Sequence, residues 1–281
     1  MIDPDDRARP APAYELGHSD RELERLSAQA RLLDPITRRI FLEAGIVPGM
    51  RVLDVGSGAG DVAFLAADIV GPRGEVIGAD KSLTAVASAR SRGHARTLHH
   101  VTFREGDPTE MEFDRPFDAV VGRYILMWQG NPAAMLRRLA GHVRPGGVIV
   151  FHELDWGGVR SLPPCPTYDR CCQWVFETLR LSNVETRMGT KLYSAFLAAG
   201  LPAPSMRLEA VIGGSEGSSG RVRDLAETML PASLLPAMER LGVATAAEVG
   251  FETLAERMYS EIAATGGAIV GRSEVGAWTR A

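Results

Sequence analysis

The sequence is poor in lysine and cysteine, and it lacks any long apolar run. Of its 281 residues, 31 are basic and 35 are acidic, and Lys81 and Lys191 are the only lysines. The formal net charge of −4 leaves no basic excess for a phosphate backbone, which argues against a nucleic-acid partner. No stretch of about 18 consecutive apolar residues occurs, so we expect neither a membrane span nor a membrane partner.

The three cysteines, Cys165, Cys171 and Cys172, are odd in number and include an adjacent pair. They form neither a disulfide framework nor a Cys-x-x-Cys metal pair, and such usage is typical of a reducing compartment. The polar, acidic segment from Met1 to Pro10 does not resemble a secretion signal. We therefore expect a cytoplasmic protein.

The chain changes its pattern at about residue 50, where short apolar strands begin to alternate with helices. Before that point, a capping box starting at Ser19 predicts a first helix, and Asp34-Pro35 predicts the start of a second. The alternation indicates an α/β fold with a parallel, doubly wound sheet, and it stops after Trp156. The predicted strands are Met50–Val55, Glu75–Ala79, Val101–Glu105, Phe117–Val121 and Val148–Leu154, with Ser205–Ile212 and Ala268–Thr279 as later candidates.

A glycine-rich loop follows the first predicted strand, with the sequence Asp54-Val55-Gly56-Ser57-Gly58-Ala59-Gly60. Glycines there allow a tight turn and a close ligand, and the following helix offers free N–H groups. A dinucleotide fingerprint needs its third glycine at the place that Asp61 occupies. Asp54 would repel a pyrophosphate, so the loop favours a ligand that carries positive charge.

Two further acids end the second and third predicted strands, and all these strand ends meet at one edge of the sheet. Asp80 could accept both hydroxyls of a ribose, and Asp107 could accept from the amine of an adenine. The alternative for Asp107 is a turn-forming role before Pro108. A ligand with a ribose, an adenine and a positive charge is S-adenosylmethionine.

These motifs resemble those of class I S-adenosylmethionine-dependent methyltransferases, in the small-molecule branch that includes ubiquinone and menaquinone biosynthesis enzymes and bacterial natural-product members. The motif after the fourth strand is Gly122-Arg123-Tyr124. The resemblance implies these cofactor-binding residues: Asp54, Gly56, Ser57, Gly58, Gly60, Asp80, Lys81, Ser82, Gly106, Asp107, Pro108 and Arg123.

The same resemblance implies a Rossmann-like, doubly wound, seven-stranded sheet whose last strand is antiparallel. We expect one domain with an N-terminal helical lid in residues 1–45 and a cofactor-binding core in residues 46–155. Residues 156–204 and 213–266 would form a helical cap, and residues 205–212 and 268–280 the last strands.

His152 and Glu153 end the fifth predicted strand, where a methyl acceptor would lie, and either could act as a general base. The alternatives are that His152 packs against a helix and Glu153 holds a loop, or that both join Asp155 in a metal site. We keep His152 and Glu153 as candidate catalytic residues beside the first alternative, and we expect no metal. Candidate lid and substrate residues are Tyr14, His18, Gln29, Tyr124 and Trp128.

The leading hypothesis is methyl transfer to carbon or oxygen of a small, fairly hydrophobic metabolite, because the large cap contains many apolar residues. One alternative is a cyclase or isomerase that binds the same cofactor without transferring its methyl. A remote one is a nicotinamide-dependent oxidoreductase, which lacks support because neither Tyr124 nor Tyr193 has a lysine four residues on. A homodimer stays open, since dimers are the commonest oligomers.

Overall fold

The structure is a computed structural model that describes the backbone of residues 20–214 and 234–281, and side chains from residue 32 onward within those ranges. Tyr14 and His18 lie outside the described residues, as does the side chain of Gln29. The helices are α1 (Asp20–Glu43), α2 (Asp61–Val70), α3 (Leu83–Ala95), α4 (Pro132–Ala140), α5 (Pro166–Leu181), α6 (Met188–Ala198), α7 (Leu235–Arg240), α8 (Ala246–Val249) and α9 (Phe251–Thr265). The strands are β1 (Arg51–Val55), β2 (Glu75–Asp80), β3 (Val101–Glu105), β4 (Phe117–Arg123), β5 (Val143–Asp155), β6 (Arg160–Leu162), β7 (Ser205–Gly214) and β8 (Ala268–Arg280).

The strands form one sheet in the order β3-β2-β1-β4-β5-β8, with β7 on the far side of β8. Strands β1 to β5 are parallel, whereas β8 runs antiparallel to both β5 and β7. The expected Rossmann-like sheet with an antiparallel last strand is therefore confirmed. The count of seven was one short, because the three-residue strand β6 pairs with the start of β8. A strand of three residues is too short to show the alternation of apolar and polar residues by which strands are predicted.

Alternation along the strands builds a core on each face of the sheet. Val52 and Val150 pack on the side of α1 and α2 with Ile40 and Phe64. Leu53 and its neighbours pack on the other side with the helices that follow β4 and β5. Because both faces are covered, β1 is buried along its whole length, including the charged residues Arg51 and Asp54.

Helix α1 runs through Pro35 without stopping, so the predicted break at Asp34-Pro35 is wrong. Pro35 is exposed, whereas Ile36, Ile40 and Phe41 are buried against the sheet. Burial of these side chains outweighs the hydrogen bond that a proline cannot donate. The second half of α1 is thus part of the core.

The helices after β5 do not form a separate unit. Helix α5 packs against α7 and α9, and their buried side chains belong to the same apolar cluster as those of β4 and β5. Helix α6 lies directly on β5 and β8, so it covers the sheet although its residues fall in the range predicted as cap. No helix in the described part of the chain combines the length and apolar character needed to cross a membrane.

Candidate active site

The glycine loop joins β1 to α2 through three glycines with positive φ. A Cβ on Gly56 would overlap Cδ1 of Ile125, and one on Gly60 would lie 2.9 Å from the rings of Phe64 and Phe103. A Cβ on Gly58, whose φ is +51°, would meet nothing within 4 Å. The loop is therefore packed from the protein side at Gly56 and Gly60 and open at Gly58.

Two buried polar side chains at this loop have an oxygen without a partner. Within the described residues, Oδ2 of Asp54 and Oγ of Ser57 have no hydrogen-bond partner. Asp54 is 1 % exposed. Burial raises the pKa of Asp54 well above its usual value, against the opposing charge of Arg123. Buried oxygens that lack partners are costly, which is the arrangement expected where a ligand completes the site.

Asp80 holds the glycine loop against the start of α3. Its Oδ2 accepts from the backbone N–H of Gly58 and its Oδ1 from that of Ser82, both at 2.8 Å. Ser82 caps the helix, with its Oγ accepting from the N–H of Ala85. Because each carboxylate oxygen has a second lone pair, Asp80 can still accept from two ligand hydroxyls.

Asp107 forms a turn after β3. Its Oδ1 accepts from the backbone N–H of Thr109 at 2.9 Å and from the hydroxyl of Thr109 at 2.7 Å. Its Oδ2 pairs with Nζ of Lys81 at 2.8 Å. Although partial burial raises the pKa of Asp107, the contacts with Lys81 and Thr109 lower it below its usual range. This is the turn-forming geometry, and contact of Asp107 with an adenine stays a prediction.

The flanks of that turn are also fixed by hydrogen bonds. The N–H of Gly106, at φ +143°, donates to the carbonyl of Asp80 at 2.9 Å, and the carbonyl of Pro108 accepts from His142. The turn after β3 is therefore tied to the end of β2, beside the glycine loop.

Glu153, completely buried, holds the loop after β4. Its Oε1 accepts from the N–H of Ile125 at 2.9 Å and of Leu126 at 2.7 Å, and its Oε2 from that of Met127 at 3.3 Å. Burial raises its pKa to about 8. These contacts are those of the loop-holding alternative, and no contact among the described residues supports the role of base.

His152 points to the opposite face, as strand alternation predicts. Its Nδ1 lies 3.0 Å from Oγ1 of Thr37 on α1, and its Nε2 lies 3.1 Å from Oε2 of Glu274 on β8. The ring is fully buried, which lowers its pKa despite the nearby carboxylate. His152 therefore joins three elements and has no open ring nitrogen for a substrate.

Glu274 is the centre of a buried polar cluster that sequence reasoning missed. The hydroxyl of Tyr124 donates to Oε2 of Glu274 at 2.5 Å, and the guanidinium of Arg272 pairs with Oε1 at 3.1 Å. Arg272 also donates to the oxygen of Tyr124 at 3.1 Å. Burial raises the pKa of Glu274, but Arg272 and His152 outweigh it and keep the value below normal. The only signal in the sequence was that Arg272 and Glu274 lie inside the last predicted strand.

Arg123 connects the end of β4 to α1. Its Nη1 donates to Oδ1 of Asp34 at 3.0 Å and to Oγ1 of Thr37 at 3.1 Å. Contact of Arg123 with a cofactor stays a prediction. Tyr124, next in the chain, has a positive φ of 59°, and Trp128 ends the short turn that Glu153 holds.

The three residues of the metal alternative, His152, Glu153 and Asp155, have other hydrogen-bond partners in the structure, and the absence of a metal stays a prediction. Asp155 is occupied by the backbone N–H of Gly157 and by the N–H and hydroxyl of Thr190. Within residues 32–214 and 234–281, no three histidine, cysteine or acidic side chains are grouped so that they could hold a metal ion. The three cysteines are free and buried.

Comparison with known proteins decides the family. Residues 46–192, more than half of the chain, match the family model described as "Methyltransferase domain". The chain belongs to the methyltransferase-domain family. The matched range begins before the glycine loop and extends past Glu153. The glycine loop and the end of β5 therefore both lie in the part of this methyltransferase-family chain that matches the family model.

Two curated relatives show the range of the resemblance. The 2-phytyl-1,4-naphtoquinone methyltransferase of Synechococcus elongatus is 41% identical over 102 residues, which is 35% of this chain and 43% of that protein. The nocamycin O-methyltransferase of Saccharothrix syringae is 29% identical over 192 residues, which is 68% of this chain and 62% of that protein. The matched parts thus span less than two thirds of the length of these relatives.

Among solved structures, the cyclase SpnF matches with a TM-score of 0.51 and 21% identity. The match covers 88% of this chain and 80% of that one. At this identity the likeness shows a shared fold alone.

Proposed function

We propose that this family member is an S-adenosylmethionine-dependent methyltransferase that acts on carbon or oxygen of a small, fairly hydrophobic metabolite. The observation that carries the proposal is the glycine loop. It combines open space at Gly58 with unpartnered buried oxygens of Asp54 and Ser57, beside a carboxylate of Asp80 with free lone pairs. S-adenosylmethionine supplies a methyl group activated by a sulfonium.

The residues of the loop fit that cofactor by charge and by shape. Asp80 would accept from the ribose hydroxyls, and the open backbone at Gly58 would lie against the cofactor. Asp54 and Ser57 would gain partners at its polar, positively charged end, and the nearby positive charge would favour the ionised form of Asp54. The turn at Gly106-Asp107-Pro108, tied to Asp80, would flank the adenine.

The acceptor class is supported by the relatives and by the cap. The two relatives are named for a phytyl naphthoquinone and for O-methylation of nocamycin. Helices α5 and α9 add apolar side chains continuous with the sheet core, which suits a small apolar acceptor in a dry site.

An acceptor hydroxyl or enol has to lose a proton as it is methylated. Tyr124 follows β4 and its hydroxyl donates to Glu274, so a proton taken by the oxygen of Tyr124 can be matched by one released to Glu274. Arg272 and His152 keep Glu274 ionised and ready to accept it. Glu153 serves this step only by holding the turn at residues 125–127 in place.

The expected partner is therefore a small molecule, and we also propose a cytoplasmic location, which the three free, buried cysteines support. The test is calorimetric titration with S-adenosylmethionine, using Gly58→Ala and the matched control Gly49→Ala. Both glycines have a positive φ and no atom within 4 Å of an added Cβ, but Gly49 precedes β1 at the opposite edge of the sheet.

We expect wild type and Gly49→Ala to bind with micromolar affinity and Gly58→Ala to bind at least 10-fold more weakly, because its methyl group occupies cofactor space. Equal binding by all three would contradict the role of the loop. Incubation with apolar hydroxylated acceptors should then give products in which a methyl group replaces one hydrogen, a net gain of one CH2 unit in mass. An acceptor that is converted with no change in mass would contradict methyl transfer and support the cyclase or isomerase alternative.

A further inference from the structure

Strand β7 lies at the edge of the sheet and presents an apolar row. It pairs with β8 on one side, and within the described residues no strand pairs with its other side. Met206, Leu208 and Ile212 are 38%, 59% and 53% exposed, and Ala210 between them is exposed as well. An exposed, apolar edge strand invites pairing with another strand.

The apolar row lies on the face of the sheet that carries α6. Met206 and Leu208 are paired with Ala277 and Val275 of β8, which are buried in the cluster that includes α6. Directly paired residues share a face, so the exposed side chains of β7 continue that surface beyond the helix. Tyr193 and Leu197 of α6, both 47% exposed, add to the apolar character of that face.

The opposite face of β7 carries one basic and one acidic residue on either side of Leu208. Arg207 pairs with Glu43, and Glu209 pairs with Arg39 of the same helix, α1. Nε of Arg207 also lies 2.6 Å from Oε1 of Glu209. Both side chains are partly exposed, at 34% and 20%.

We propose that two copies of this chain pair antiparallel through β7, with a two-fold axis at Leu208. In that register Arg207 of each copy faces Glu209 of the other copy. The interface therefore contains two pairs of opposite charges. On the apolar face Leu208 meets Leu208, and Met206 meets Ala210. This self-complementarity is what a two-fold interface requires of one surface patch, and it favours a second copy over an unrelated partner.

The test is disulfide trapping of Leu208→Cys. At the two-fold axis this residue faces its own copy, and directly opposed strand residues have Cα atoms about 4.5–5.5 Å apart, within disulfide range. The matched control is Leu83→Cys on α3, which is also 59% exposed. The native cysteines are buried.

Under mild oxidation we expect more than half of Leu208→Cys to run as a covalent dimer and Leu83→Cys to stay monomeric on a denaturing gel. A mixture of Met206→Cys and Ala210→Cys should crosslink at least five times faster than either variant alone. Sedimentation should show a dimer for wild type and a monomer for Leu208→Lys with unchanged circular dichroism.

A monomeric wild type, or a wild-type dimer that Leu208→Lys leaves intact, would overturn the proposal. So would equal crosslinking of Leu83→Cys and Leu208→Cys. None of these outcomes depends on the proposed methyl transfer, because β7 carries no residue assigned to the cofactor or to the acceptor.

Discussion

At the scale of single residues, two fully buried glutamates show how partners decide ionisation. Glu274 lies against the guanidinium of Arg272 and the ring of His152, and its pKa is lowered. Glu153 receives only backbone N–H groups, which do not offset its burial, and its pKa is raised to about 8. A charged side chain nearby therefore counts for more than the number of hydrogen bonds.

The raised pKa of Glu153 predicts a pH-dependent stability. Between its usual value of 4.5 and about 8, the folded protein keeps a proton that the unfolded chain has lost. The free energy of unfolding therefore falls as the pH rises through this window, by at most about 1.4 kcal/mol per pH unit from this group. Glu153→Gln cannot titrate, so urea unfolding of this variant should show a smaller decline.

The control is Glu110→Gln, since Glu110 is 69% exposed and pairs with Arg138 at the surface. Its pH profile should run parallel to that of wild type. Parallel profiles for wild type and Glu153→Gln would show that Glu153 is ionised throughout this range.

At the scale of elements, α1 is stabilised mainly by what it covers. Thr37 and Asp34 connect it to His152 and Arg123, and Gly276 of β8 lets it approach closely, since a Cβ there would lie 2.6 Å from Ile40. These contacts hold the helix in one piece across Pro35.

Replacing Pro35 by alanine should make the protein more stable. The ring is exposed, and alanine supplies the missing N–H without removing a buried contact. We expect a net gain of about 1–2 kcal/mol in the free energy of unfolding, after the greater freedom of the unfolded chain is subtracted. Chemical denaturation measures this gain.

Pro48→Ala is the control, because Pro48 is exposed in the turn before β1 and lies outside any helix. It should leave the stability unchanged or slightly reduced. A loss of stability in Pro35→Ala would mean that the ring makes a contact worth more than the hydrogen bond.

At the scale of the whole molecule, the sheet and the helices after β5 share one apolar cluster. Met258 on α9, completely buried, belongs to the same cluster as Phe151 on β5. A continuous core of this kind favours unfolding in a single transition.

Met258→Ala should lower the free energy of unfolding by about 2–5 kcal/mol through the cavity it leaves. Far-ultraviolet circular dichroism and tryptophan fluorescence should shift together, because loss of packing in α9 weakens the sheet as well. Leu162→Ala, at a side chain that is 78% exposed, should change neither. Two separate transitions would show that the α5–α9 helices unfold independently of the sheet.

The features that arise from short segments could be predicted from the sequence alone. Strand and helix alternation predicted the parallel sheet, and the spacing of Asp54, the glycines and Asp80 predicted the loop and its acidic neighbours. These succeed because burial periodicity and glycine conformation are properties of a few adjacent residues.

The features that depend on contacts between distant residues became visible only in the folded structure. The sequence showed that His152 and Glu153 lie at one strand end. Only the fold showed that His152 contacts Thr37 and Glu274, and that Glu153 accepts hydrogen bonds from the backbone of residues 125–127. It also joined the two predicted N-terminal helices into α1 across Pro35. In each case the stabilisation comes from burial and from hydrogen bonds between residues far apart in the chain. A local sequence pattern does not indicate which distant residues will be in contact.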